Sequence, residues 1–338
     1  MSSHKSLIAV GLVVSAFLSC GQIEAADQTL KISHQFPSSS GSEGDFRDRL
    51  VREYAKQVEA RTKGSLKFEI YPGSSLMKTN AQFSAMRKGA LDMSLFPISY
   101  AGGEMPELNI GLMPGVVTSY EQGAAWKDAP VGKEFARLLE EKGIIILSWI
   151  WQAGGVASLN KPLILPEDAK GMKVRGGSRE MDMVLKEAGA AVVSLPSNEI
   201  YAAMQTGAMD AAMTSSTSLI SFRLEELAKC LTTGRGKAYW FMLEPVIMSK
   251  IVFDKLTKEQ QEAMLAVGKD MEKFGTAAAK ADDELVAQVY AKAGAKVVDL
   301  TPEAVEKWRA LAREASWKDY SARNENCAKL MKLAEEVK

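Results

Sequence analysis

The sequence predicts an α/β fold in two lobes, and two observations lead to it. From residue 29 onward, strand-like and helix-like segments alternate. That pattern implies βαβ units and a largely parallel sheet. The alternation breaks at Gly154-Gly155 and then starts again. The 338 residues leave room for roughly two domains of about 150 residues each. Lobes joined by more than one crossing make a hinge around a cleft, and such a hinge implies closure on a ligand. We place the crossover near Trp151 to Gly155. Lobe I then takes 27–152 and 241–280; lobe II takes 153–240 and 281–338, C-terminal helices included.

Residues 1–26 stand before the fold. Met1 to Lys5 is short and basic, and Leu7 to Leu18 is apolar but too short for a membrane span of ~20 residues. Ala25 and Ala26 supply small residues for cleavage, so this reads as a secretory signal peptide and the mature protein is expected outside the cytoplasm. Phe17-Leu18-Ser19-Cys20 departs from the lipoprotein pattern by placing Phe where Leu is usual, which makes a lipid anchor at Cys20 the lesser alternative. Cys230 and Cys327 remain in an oxidising compartment. They stand equally as a disulfide or as two buried thiols, since sequence does not show proximity.

Thr29 to Phe36 alternates as a strand, and Arg47 to Thr62 is an amphipathic helix with Leu50, Tyr54 and Val58 at four-residue spacing. Ser65 to Tyr71 is a second strand. Ala81 to Lys88 is a helix that Gly89 closes, and Leu91 to Pro97 reads as a buried strand. Val131 to Lys142 and Ile144 to Trp149 repeat helix and strand. In the second half, Gly171 to Ser215 packs four elements into one stretch. A strand ends at Arg175, a helix follows, Ala190 to Leu195 is a strand, and another helix leads to Ala208 to Met213. Arg175 thus sits where a strand runs out into a turn at Gly176-Gly177. Ligands of open α/β sheets bind at the carboxyl ends of strands. Trp240 to Ile251 reads as a strand returning to the first lobe. Thr257 and Glu259 open a helix running past Val286, and Thr301-Pro302-Glu303 starts the last one.

Lys plus Arg and Asp plus Glu both number 42, so no long-range field draws the chain to nucleic acid or an anionic membrane. Recognition of a charged ligand has to come from a local site. His34 is the single histidine after the signal peptide and no CxxC is present, which leaves no zinc site. No G-x-S-x-G elbow or phosphate-binding glycine loop occurs. Ser75-Leu-Met-Lys78 matches S-x-x-K without its companion motifs. No catalytic residue, metal or cofactor is expected, and the methionines are read as core filling.

Four stretches carry a family resemblance. They are Ala169-Lys-Gly171-Met-Lys-Val-Arg175, the spaced set Glu199, Tyr201, Ala203, Gln205, Gly207 and Asp210, the turn Gly89-Ala-Leu-Asp92, and Glu59 to Gly64 followed by Tyr71-Pro72-Gly73. In this order they resemble the solute-binding proteins of tripartite ATP-independent periplasmic (TRAP) transporters, of the dicarboxylate-binding DctP type. The resemblance implies a two-lobed periplasmic-binding-protein fold with a hinge, each lobe a sheet flanked by helices, and a long helix spanning both. It implies capture of a small organic acid, with Arg175 pairing with the carboxylate, and delivery to an ion-gradient-driven membrane permease. The protein is expected to be monomeric. A subunit reporting to a sensor kinase and a secreted enzyme on the same fold are the alternatives.

Departures from the family pattern fall where specificity would be read. Met213-Thr214 replaces a Glu-Asn pair, Gly154 to Ala157 lacks a second arginine, and Ser197 replaces an aromatic. A sugar acid with many hydroxyls fits less well. Thr214 and Ser215 remain as hydroxyl donors. Phe36, Tyr100, Trp149, Trp151, Trp240 and Phe241 are the aromatics near the expected cleft, about half of them core, since neighbours in a strand face opposite ways. If Trp151 and Trp240 face the cleft, a flat or apolar acid is favoured. Arg179 is either a second cation for a dicarboxylate or a surface partner of Glu180 or Asp182.

Overall fold

A computed structural model describes residues 28–235 and 238–337. The signal-peptide and Cys20 readings lie outside these residues. Two large sheets hold most of the strands. The first runs, in order, Leu66–Tyr71, Gln28–Ser33, Met93–Leu95, Val246–Ser249 and Ile144–Ser148. The second runs Lys296–Asp299, Cys230–Thr233, Gly154–Ser158, Ala211–Ser215, Lys173–Arg175 and Ala191–Val192.

Both sheets are mixed rather than largely parallel. Val246–Ser249 pairs antiparallel with Met93–Leu95 and with Ile144–Ser148. Gly154–Ser158 pairs antiparallel with Cys230–Thr233 and Ala211–Ser215. The reason lies in the crossings: a strand arriving from the other lobe runs against one that is leaving for it.

The run Trp240 to Ile251 is not one strand. It divides into Met242–Leu243 and Val246–Ser249, with Glu244-Pro245 between them and a short helix, Lys250–Phe253, after. Pro245 has no N–H to give a ladder. Its carbonyl instead accepts from Phe96 at 3.1 Å. Met242–Leu243 pairs with Trp151–Gln152, so the two crossings of the chain form a two-stranded ribbon at the hinge.

The third crossing is the helix Lys258–Lys292, 35 residues long. At 1.5 Å per residue it spans about 50 Å. A capping box joins Thr257 and Gln260 at its start. It packs on the helix Phe46–Arg61 and the strand Ile144–Ser148 of the first lobe, then on Ser216–Ser221 and Cys230–Thr233 of the second. The approach is close: a Cβ at Gly268 would lie 1.9 Å from the Leu147 carbonyl oxygen.

One core fills the first lobe. Two smaller ones cover opposite faces of the second sheet, with Val156, Val174 and Met213 on one and Ala157, Ala212 and Leu231 on the other. The last helices do not stay with the second lobe as the 281–338 assignment expects. Pro302–Ala312 buries Trp308 there, but Tyr320, Cys327, Leu330 and Met331 lie in the first core. Tyr320 donates to the Glu107 carbonyl at 2.9 Å, and Trp317 to that of Pro114 at 2.8 Å. Cys230 and Cys327 therefore belong to different lobes and are both free, buried thiols.

Candidate functional site

The strand Lys173–Arg175 ends at the cleft, and Arg175 is 1% exposed. Its Nε donates to the Leu195 carbonyl at 3.0 Å, Nη1 to the Met213 carbonyl at 2.8 Å, and Nη2 to the Tyr100 hydroxyl at 2.7 Å. Every one of these acceptors is neutral. A guanidinium has five N–H groups; these bonds leave one on each terminal nitrogen. Asp182 acts on Arg175 only through space, and burial pushes its own carboxyl up to about 6 against the pull of that guanidinium. Gly177 has to be glycine. It sits at φ +92°, and a Cβ there would come within 2.6 Å of Arg175 Nη1.

Tyr100 stands on the first lobe, in the single turn Ile98–Ala101 after the strand Met93–Leu95. Its hydroxyl meets Arg175 and also accepts from the Ser197 backbone N–H at 3.0 Å. Ser178 donates to the Leu112 carbonyl at 3.1 Å and caps the helix Arg179–Glu187. The lobes thus touch across the cleft.

Two chambers lie there. The outer one holds about 420 Å³ and is lined by Asn80, Ser99, Tyr100, Asn109, Arg179 and Glu199 among others. The inner one holds about 10 Å³, room for about one water. Arg175, Ser99, Tyr100, Ser197, Thr214 and Glu244 supply its polar wall; Pro97, Leu112, Met242 and Leu243 supply the apolar one. Tyr100, Ser99 and Gly177 border both. Among the described residues no cluster of His, Cys, Asp or Glu is placed to hold a metal, and no helix is long and apolar enough to cross a membrane.

The predicted site residues divide. Arg175, Tyr100, Ser197 and Thr214 come together in the inner chamber. Arg179 lines the outer one, half exposed, and pairs with Asp319 at 2.6 Å, a partner the sequence reading does not name; Glu180 is 3.7 Å away. Ser215 turns to the hinge. Its Oγ caps the helix Ser216–Ser221 and accepts from Arg47 at 3.3 Å. The large aromatics leave the cleft for the cores. Trp151 packs edge-on against Trp126 at 5.2 Å, and Phe241 against Tyr120 at 4.9 Å. Trp149 tilts against Phe135, and Trp240 joins the second core. Phe36 lies 3.6 Å under the Arg47 guanidinium. Since Trp151 and Trp240 line neither chamber, that ground for a flat or apolar acid falls away. His34 is a core residue bonded to Asp48 at 3.1 Å.

Behind the inner chamber lies a network that the sequence does not announce. Fully buried Arg47 bonds Asp45 through Nε at 2.8 Å and Nη2 at 2.7 Å, and Glu244 through Nη1 at 3.0 Å. It also donates to Ser218 at 3.0 Å in the second lobe. Gln152 of the hinge ribbon donates closely to Glu244. Burial pushes the Glu244 carboxyl up, against Arg47, which holds it down. One signal was available: Glu244 is a lone acid inside the apolar run 240–251.

Two α/β lobes drawn together over a buried, unpaired guanidinium define a cleft-closing binding protein. The chain belongs to the bacterial extracellular solute-binding proteins of family 7, the DctP family, whose pattern it matches over residues 38–323. It is 66% identical over 337 residues, the whole of both chains, to a solute-binding protein of Albidiferax ferrireducens. It is similar to the crystal structure of a TRAP periplasmic solute binding protein from Rhodoferax ferrireducens with bound malonate. That match has a TM-score of 0.90 and 71% identity, covering 91% of this chain and 98% of the other. A TRAP periplasmic solute binding protein from Sulfurospirillum deleyianum with bound succinate matches with a TM-score of 0.79 and 26% identity, over 93% and 100% of the two chains. The resemblance read from the Arg175 and Glu199 to Asp210 stretches is correct, and the family is one of receptors rather than enzymes.

Proposed function

We propose that this protein is the periplasmic receptor of a TRAP transporter: it closes on a small organic acid and delivers it to the membrane permease. One observation carries the reading. Arg175 is buried, charged and bonded only to neutral acceptors, with one N–H left on each terminal nitrogen. Two parallel N–H groups of a guanidinium match the two oxygens of a carboxylate. Asp182 reaches it only through space, and a buried cation without a directly bonded counter-charge is costly, so an acid that enters the cleft supplies the bonded partner. Ser197, Thr214 and Ser99 add hydroxyls, and the small inner chamber has to widen to admit even a short acid. Support also comes from the relative of 71% identity that holds malonate.

A thermal-shift screen of malonate, succinate, monocarboxylates, neutral sugars and amines tests the reading, because a ligand that binds only the native state raises the melting temperature by mass action. Short carboxylates should shift it; shifts from amines or sugars alone would sink the proposal. Uptake of the active acid into cells lacking this receptor, with the permease retained, should fail and be restored by adding the receptor.

Tyr100→Phe removes the hydroxyl that joins the lobes at Arg175 and Ser197. The loss is about 1–2 kcal/mol, or roughly 5- to 30-fold faster ligand release by stopped flow. Unchanged release would show that this contact does not hold the cleft shut.

A further inference from the structure

An arginine that anchors one carboxylate leaves the rest of the ligand to whatever shares its chamber. Among the described residues lining the inner chamber, Glu244 is the one acid. Its Oε2 takes the bonds from Arg47 and Gln152, and Oε1 takes part in neither. Arg47 is shared, since Asp45 holds it through two bonds on the far side. One cation therefore serves two acids, and Asp45, Arg47 and Glu244 together carry one negative charge when both acids are ionised. Asp282, on the long helix, adds a further negative field on Asp45 and Arg47. Among the described residues, Gln152 beside it and the hydroxyls of Tyr100, Ser99, Ser197 and Thr214 in the chamber wall are its uncharged polar surroundings. Among the described residues lining this chamber, Arg175 is the one cation, and it comes from the second lobe. Burial already favours a proton on Glu244. A second carboxylate held against an ionised Glu244 in the chamber wall cannot stay ionised beside it, because like charges at close range share a proton.

We propose, resting on the carboxylate reading above, that Glu244 sets the specificity of the inner chamber. It accepts a hydrogen bond from the ligand group opposite the Arg175-bound carboxylate. It admits a dicarboxylate only with one proton, taken from solvent and shared between the ligand's far carboxyl and Glu244. A ligand whose far end is a hydroxyl or amide N–H brings its own donor and binds without that proton.

Calorimetry of the full protein with malonate, in buffers of different ionisation enthalpy at about pH 8, reads the proton directly. About one proton should be taken up per malonate bound. Its affinity should fall about tenfold per pH unit upward, as uptake of one proton requires. Malonamate, with an amide in place of the far carboxylate, should bind with no uptake. Glu244→Gln should abolish the uptake and flatten the malonate pH profile. Malonate bound with no proton exchanged, or with equal uptake in wild type and E244Q, overturns the inference and leaves the carboxylate reading intact. Failure of malonate, malonamate and monocarboxylates alike to bind overturns both. The wild-type measurements stand without the variant, so an E244Q protein that does not fold leaves the inference open to refutation.

Discussion

Replacing Arg175 with alanine should abolish acid binding. The expected loss is about 2–5 kcal/mol, or roughly 30- to 5,000-fold in affinity. The size follows from burial. At 1% exposure the guanidinium is shielded from water, and each hydrogen bond it gives is charge-assisted. Arg175→Lys separates charge from shape. A lysine keeps the cation but cannot present a fork, so it should bind malonate more weakly than wild type and better than alanine. Both variants lose donors to the Leu195 and Met213 carbonyls, and their ligand-free melting temperatures should fall together. A purely structural role for Arg175 would move stability and leave calorimetric affinity per folded molecule unchanged; that result would sink the site assignment.

Arg175 was legible because its signal is local: an apolar strand, one cation, then two glycines. The helix starts at Thr257 and Thr301 were legible for the same reason, since a cap and its partner lie three residues apart. Two kinds of information were not local. The first is which face a strand residue takes. Thr214 and Ser215 are neighbours pointing opposite ways, so one enters the chamber and the other the hinge; Trp151 on its strand and Trp240, outside any strand, both went to the cores. The second is distance along the chain. Arg47 meets Glu244 at a separation of 197 residues, and nothing in either neighbourhood names the other. The C-terminal helices fall in this group as well. Their amphipathic pattern shows that they bury a face but not against which lobe, and Tyr320 to Met331 returned to the first.

The hinge network gives the second large effect. Arg47→Met should cost about 3–5 kcal/mol, because it strips the cation from two acids while keeping most of the volume. At a few degrees per kcal/mol the melting temperature should drop by roughly 6–20 °C. The loss should also acquire a pH dependence that identifies its cause. In the wild-type protein burial works against Asp45, but Arg47 and Ser221 hold its carboxyl below the usual range. Without Arg47, Asp45 and Glu244 would both bind protons more tightly in the folded than in the unfolded chain. Folding then takes up protons, and stability falls as pH rises from the unfolded carboxylate range toward neutrality. Acidifying the variant from pH 7 to pH 5 should therefore recover stability. Adding Asp45→Asn and Glu244→Gln should recover it at pH 7, since an uncharged network leaves no buried anion to desolvate. If R47M stays depressed at every pH and in the triple variant, lost packing on Phe36, 3.6 Å from the guanidinium, is the cause, and the charges of the network contribute little.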